Sequence, residues 1–309
     1  MTVAVGFMCT DGIVLAADRE VSTASLKIDG PKVWYFRYPP NATHPVLRVG
    51  VAGAGDYAFI KYASELIDRQ LRDWVEQHGQ ATMDEVNAIV QGVINDIHHN
   101  HLYPIGQPHE RPNIDLLIGI SISDGRIRLA RSSLTSITNV CDYEAVGIGS
   151  DLANFIVKRS YKSRVTVTNA VFWAAQVLMH AKHYVPGCGG SSDVVVLFKG
   201  FGAGLVKQNT ISNHERFLND FESVIQPVLF GGANPTVDDQ AFAAMVDDLA
   251  VRLKALRNVG FIQKQAEQVR QDIKIEVPTG SVTVTGEWIS PAIRKTKRGA
   301  RYGQESGGV

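Results

Sequence analysis

Thr2 is the residue of this chain with the most distinctive chemistry. It follows the initiator in Met1-Thr2-Val3-Ala4-Val5-Gly6-Phe7, and methionine aminopeptidases tolerate a small residue there. Removal of Met1 would leave a threonine bearing both a hydroxyl and a free α-amine. The hydroxyl is a nucleophile, and the amine is a base with a reference pKa of about 7.7–8.0. That pairing is one way of activating a hydroxyl for covalent catalysis. Other groupings carry less. His98, His99 and His101, with His109 beyond them, invite a metal reading. No cysteine or acidic partner sits at a zinc-site spacing, so the cluster reads as a polar helix end. Gly147-Ile148-Gly149 lacks the third glycine of a dinucleotide-binding loop. Cys9, Cys141 and Cys188 are odd in number and far apart, which speaks against a disulfide framework and for a reduced, cytoplasmic setting.

The elements that must position Thr2 follow from periodicity. Apolar runs at 3–9 and 12–17 flank Thr10-Asp11-Gly12, a strand, turn and strand signature that stops at Asp18. Further strands are expected at 32–37 and 46–52. Gly53-Ala54-Gly55 then ends a strand, and Asp56 can cap a helix running to about 77. Thr82-Met83-Asp84-Glu85 is a capping box for a second amphipathic helix. A proline-bearing loop spans 102–112. Strands follow at 114–122, 126–131 and 144–148, helices at about 150–160 and 167–183, and a strand at 193–198. This order suits two antiparallel sheets, each shielded on its outer face by a helix pair. Beyond residue 200 the character changes. Gly200 to Gly204 reads as a flexible join, 237–257 as a helix, 273–277 and 281–285 as a hairpin, and 292–309 as a disordered tail, basic at first. The expected domains are therefore 1–200, an extension at 201–291 of helices plus hairpin, and the tail.

The totals exclude several classes. Lys plus Arg equals Asp plus Glu at 31 each, so nothing global points to nucleic acid or a membrane surface. No apolar run approaches the ~20 residues that span a bilayer. No basic segment precedes an apolar one at the start, so no secretory signal is expected.

Four motifs, in order, resemble the proteasome β-subunit family, its bacterial relatives included. They are Thr2-Val3-Ala4-Val5-Gly6, Asp11 to Arg19, Lys32-Val33, and Val51-Ala52-Gly53-Ala54-Gly55-Asp56. The likeness covers about residues 2–199. It implies an N-terminal nucleophile hydrolase, an α+β four-layer αββα sandwich, cutting amide bonds through an acyl-enzyme without metal or organic cofactor. By the resemblance Thr2 is the nucleophile and its amine the base. Asp18 is the carboxylate that holds Lys32, whose ammonium stabilises the alkoxide and lowers the amine's pKa. Gly53 supplies the oxyanion-hole N–H, a donor whose loss typically costs about 2.7–4 kcal/mol. The family also implies a homo-oligomeric ring, a polypeptide substrate and an unfoldase ATPase as partner.

Departures from the family pattern cluster behind the nucleophile. Ile148 stands where a serine usually faces the amine. Val185 and Cys188 replace the acid and serine of Asp-x-x-Ser-Gly-Gly, and a thiol is only a weak donor and acceptor. Ser191, Ser192 and His183 are the nearby polar residues that could compensate. Two other functions fit these departures: a non-catalytic assembly or interaction subunit on the same fold, and an amidohydrolase acting on a small amide.

Overall fold

The computed structural model describes residues 2–22, 26–40, 46–107, 109, 111–160, 165–200 and 202–258. The expected hairpin at 273–285 and the tail at 292–309 lie outside them. Strands β1 (Val3–Met8) and β2 (Gly12–Asp18) form the first hairpin, closed by a Cys9 N–H donated to the Gly12 carbonyl at 2.8 Å. A two-stranded ribbon, β3 (Glu20–Ser22) and β4 (Lys27–Asp29), was not expected. Next come β5 (Val33–Tyr38) and β6 (Leu47–Gly55), helices α1 (Tyr57–His78) and α2 (Met83–Ile97), then β7 (Ile114–Ile122), β8 (Ile127–Ser133), β9 (Ser136–Val140) and β10 (Tyr143–Gly147). Helices α3 (Ser150–Ser160) and α4 (Val167–Tyr184) precede β11 (Ser192–Phe198), β12 (Ala203–Leu205), α5 (Gln208–Ala233) and α6 (Asp239–Asn258).

The strands form two antiparallel five-stranded sheets, ordered β10-β1-β2-β11-β12 and β5-β6-β7-β8-β9. Three apolar layers hold them. Ile13, Leu15, Leu117, Leu129, Val195 and Leu197 fill the space between the sheets. Val3, Val5 and Phe7 point the other way, against Val171, Ala174 and Leu178 of α4. Val49, Val51 and Ile118 of the second sheet pack under Ile60, Ile67 and Leu71 of α1 and Val90 and Val93 of α2. The alternation along β1, odd residues to the helices and Ala4 to the facing sheet, is the two-residue period of a strand. With both faces covered, all seven residues of β2 are buried. The fold is thus the four-layer αββα sandwich.

Local signals explain the helix boundaries. Asp56 accepts from Ala58 and Phe59 N–H at the start of α1, and Gly79 closes it in the left-handed conformation. Thr82 and Glu85 make the reciprocal capping box of α2. The expected loop at 102–112 begins later than read, because His98–Leu102 continues α2 as a π-helical turn. Within the expected flexible join, Ala203–Leu205 is instead a strand, since it can complete the ladder beside Val195–Leu197. Helix α5 is the largest element not foreseen. Its start has no side-chain cap and Pro227 lies inside it, so the usual boundary marks are missing. Tertiary packing compensates: Ile211 and Leu218 are buried in the same apolar layer as Val194 and Val196.

Candidate active site

Thr2 immediately precedes β1, is 2% exposed, and shares a cavity wall with Gly55 of β6 and Asp115 of β7. The turn at Asp11-Gly12 sends β2 back along β1, so that Ala4 pairs with Ala17 and Asp18 arrives beside the chain start. Asp18 is fully buried, and each of its oxygens is occupied. Oδ1 accepts the Val3 N–H at 3.0 Å; Oδ2 accepts Lys32 Nζ at 3.2 Å and the Gly189 N–H at 3.1 Å. Lys32, 2% exposed, also donates to the Glu20 carbonyl at 2.5 Å. One carboxylate therefore ties the residue after Thr2 to the only lysine the described core encloses.

Burial works against the charge on each partner of this pair, and their mutual attraction works for it. Burial lowers the Lys32 pKa, and attraction to Asp18 offsets that only in part. Burial likewise raises Asp18, against the pull of Lys32 and the two backbone N–H donors. A lysine lowered in this way can give up or regain a proton at a smaller cost than a solvated one. Cys188 is 6% exposed, and burial and Asp18 push its thiol up to about 12, so it stays a neutral thiol.

Thr2 lines a cavity of about 310 Å³ together with Gly55, Asn113, Arg131, Ile148 and Ser150. Ile148 is 53% exposed and presents an aliphatic side chain there. Asp115, also in the wall, pairs with Arg131 at 3.8 Å, and Glu144 pairs with it at 3.2 Å. Gly147 approaches the backbone of Thr2: its φ is +91°, and a Cβ there would lie 2.2 Å from the Thr2 carbonyl oxygen. Only glycine suits that position.

The structure thus brings Thr2, Asp18 and Lys32 to one place, and treats Gly53 differently from the expectation. The Gly53 N–H donates to the Lys32 carbonyl at 3.0 Å, as the pairing of Val33 with Ala52 dictates. Gly53 is absent from the cavity wall, where Gly55 stands instead. Its lack of a side chain serves packing, because a Cβ would meet Ile60 at 2.2 Å. The three compensating candidates are engaged elsewhere. Ser191 Oγ donates to Asp29, Ser192 Oγ to Glu215, and His183 Nδ1 contacts the Met179 carbonyl. His98 and His99 pack their rings near Tyr103, and no group of three or more His, Cys, Asp or Glu among the described residues is placed to hold a metal ion. Sequence reasoning missed the Gly189 N–H and the Glu20 carbonyl as partners of Asp18 and Lys32. Both are backbone groups, and the Asp18–Gly189 contact spans 171 positions, so no local pattern could announce it.

Comparison with known proteins gives a consistent picture. Residues 2–197 match the family model described as Proteasome subunit. Proteasome subunit beta 1 of Pyrobaculum calidifontis is 26% identical over 205 residues, covering 65% of this chain and 92% of that protein. Proteasome subunit beta 2 of Pyrobaculum neutrophilum is 25% identical over 197 residues, covering 63% and 87%. Among solved structures, Anbu (ancestral beta-subunit) from Yersinia bercovieri superposes with a TM-score of 0.60 at 16% identity, over 73% of this chain and 97% of that one. An Anbu (Gly-1) mutant from Hyphomicrobium sp. strain MC1 gives 0.59 at 16%, over 71% and 94%. At that identity the two structures speak for the fold alone.

Proposed function

This chain belongs to the proteasome subunit family, and on that premise we propose that it is a threonine-type amidohydrolase, a peptidase with Thr2 as nucleophile. The observation that carries this reading is the shared carboxylate: Asp18 binds the Val3 N–H and Lys32 Nζ at once, inside a buried site opening on a cavity. After removal of Met1, the Thr2 amine takes the hydroxyl proton while Oγ bonds to the scissile carbonyl carbon. The C–N bond then breaks, and the leaving amine takes that proton. Water attacks the resulting ester, one of its protons returns to Thr2 Oγ, and the acid product leaves. The charged Lys32 favours the alkoxide, and Asp18 holds Lys32 in place. Backbone donors at the end of β6 would meet the oxyanion. Gly55 already lines the cavity; the Gly53 N–H would first have to leave the Lys32 carbonyl.

The test has two stages. Intact mass should show Thr2 as the first residue of the purified chain. A peptide epoxyketone or vinyl sulfone should then add covalently to wild type and not to Thr2→Ala. Retained Met1 rules out the mechanism, because the amine is then part of a peptide bond. Peptide and small-amide panels separate a peptidase from an amidohydrolase of small substrates.

A second reading, a non-catalytic assembly or interaction subunit, is favoured by Ile148, which lines the cavity in place of a hydroxyl. A free Thr2 that no such probe labels would support it. We also propose a homo-oligomeric ring in the cytoplasm, with an unfoldase ATPase as partner. Family membership supports the assembly, and none of the described helices is long and apolar enough to cross a membrane.

A further inference from the structure

We infer that α5, which lies beyond the segment matched to the family, is a positioning element of the Thr2 site, acting through a Glu215–Ser192 hydrogen bond on the strand pair that carries Asp18. The inference rests on the reading of Thr2 as nucleophile for its consequence, though not for its geometry. Ser192 is the cross-strand partner of Asp18 in the β2–β11 ladder. Directly opposed residues of an antiparallel pair have Cβ atoms about 4.5–5.5 Å apart, so a shift of one is felt by the other. Ser192, 4% exposed, donates its hydroxyl to Glu215 Oε1 of α5 at 2.7 Å. A carboxylate acceptor makes this one of the stronger kinds of hydrogen bond. Glu215 is in turn clamped by Lys182 of α4, whose Nζ reaches both carboxylate oxygens at 2.8 and 3.1 Å.

A second grip lies one residue earlier. Gln208 Nε2 at the start of α5 donates to Ser191 Oγ at 3.1 Å, and Ser191 Oγ donates to Asp29 at 3.3 Å. Arg19 then joins Asp29 to Asp193, each at 2.9 Å. The backbone between these grips and the site is short and is tied to the segment after β2 at two points. The Arg19 N–H donates to the Ser191 carbonyl and the Glu20 N–H to the Gly189 carbonyl. Gly189 supplies the N–H on Asp18, and Glu20 supplies the carbonyl on Lys32. The segment from Gly189 to Ser192 is thus held against Asp18 on one side and against α5 on the other. Here the Asp-x-x-Ser pair of the family is absent, and α5 supplies a different support for the same loop. The helix is firmly seated for this task, since Ile211 and Leu218 are buried in the core.

Ser192→Ala tests the link while leaving the Lys182–Glu215 pair in place. Amide hydrogen exchange reads the geometry whatever the activity. The Gly189 and Val3 amides, both donors to Asp18, should exchange at least about tenfold faster in the variant, as expected for loss of a restraining bond in local opening. Ser192→Thr, which keeps a hydroxyl, should restore protection. Unchanged protection of both amides in Ser192→Ala overturns the inference. Probe labelling reads the consequence. Ser192→Ala should label roughly 10- to 100-fold more slowly, because small misplacements of reacting groups cost that much. Its alkaline limb should move to lower pH, because a less constrained Asp18 holds the Lys32 proton less well. Equal labelling of wild type and variant at every pH also overturns the inference. A wild type that is not labelled at all sinks the nucleophile reading instead, and leaves hydrogen exchange to decide the role of α5.

Discussion

Lys32 and Asp18 form an ion pair at 3.2 Å with their side chains 2% and 0% exposed, and Asp18 extends that pair to the backbone beside Thr2. Two charges withdrawn this far from water are tolerated only with nearly complete hydrogen bonding, which Val3, Gly189 and Glu20 provide. A pair of this kind is a weak source of stability and a strict determinant of geometry. Its placement beside Thr2, with no other lysine enclosed by the described core, argues for chemistry over packing.

Breaking the pair should cost more than removing it. Asp18→Asn leaves an uncompensated ammonium in the core and should destabilise the protein by about 3–5 kcal/mol. The double variant Asp18→Asn/Lys32→Met should recover a substantial part of that loss, since no buried charge remains. Urea unfolding of wild type, single and double variants measures it. All the variants should fail to be labelled by a threonine-directed probe. A double variant no more stable than Asp18→Asn would show that the pair is held for other reasons.

Gly147→Ala should disturb the site by moving the Thr2 backbone. The new Cβ would stand 2.2 Å from the Thr2 carbonyl oxygen and 2.7 Å from the Ala54 Cβ, at a φ of +91°. Overpacking of this kind typically costs about 1–3 kcal/mol, and the left-handed backbone adds to it. Circular dichroism melts should fall, and labelling should drop further than the melt alone explains. Labelling at the wild-type rate would show that the contact relaxes freely.

The thiols should divide by burial. Cys141 is exposed, while Cys9 and Cys188 are buried. The Cys188 thiol is raised to about 12, so almost none of it is thiolate near pH 8. Burial raises Cys9 as well, helped by Asp11. Ellman's reagent at about pH 8 should therefore report one fast thiol in the folded protein and all three after denaturation. Rapid reaction of Cys188 would mean that the loop beside Asp18 opens readily.

Acid should weaken the seat of α5. His214 is 5% exposed, donates to the Thr210 carbonyl at 2.7 Å, and stands edge-on to Phe172. Burial holds its pKa below 6.5, against smaller upward pulls from that carbonyl and Glu215. The folded state thus favours neutral imidazole. Its contribution is present above about pH 6.5 and is lost as pH falls through the lower folded value. His98 shifts in the same direction, again through burial. The melting temperature should decline between about pH 7 and 5, and His214→Gln should show a smaller decline. An identical pH slope in the variant would remove His214 as a cause.

What the sequence determined by itself is local or periodic. Asp11-Gly12 sets the first hairpin, Asp56 and the Thr82–Glu85 box start two helices, and strand alternation in β1 marks both faces of its sheet for burial. Thr2 was legible from its own functional groups, and Asp18 and Lys32 from motif order. The tertiary structure decided which groups meet. It joined Gly189 to Asp18 across 171 positions, committed the Gly53 N–H to the Lys32 carbonyl, and put Gly55 in the cavity wall. Such contacts depend on strand register and sheet stacking, which are set by the whole apolar core and leave no spacing in the chain. Helix α5 shows the same limit, since it lacks a side-chain cap and carries Pro227. Its existence and its hold on Ser192 come from surfaces offered by α4 and β11, and a reading of its own residues could not supply them.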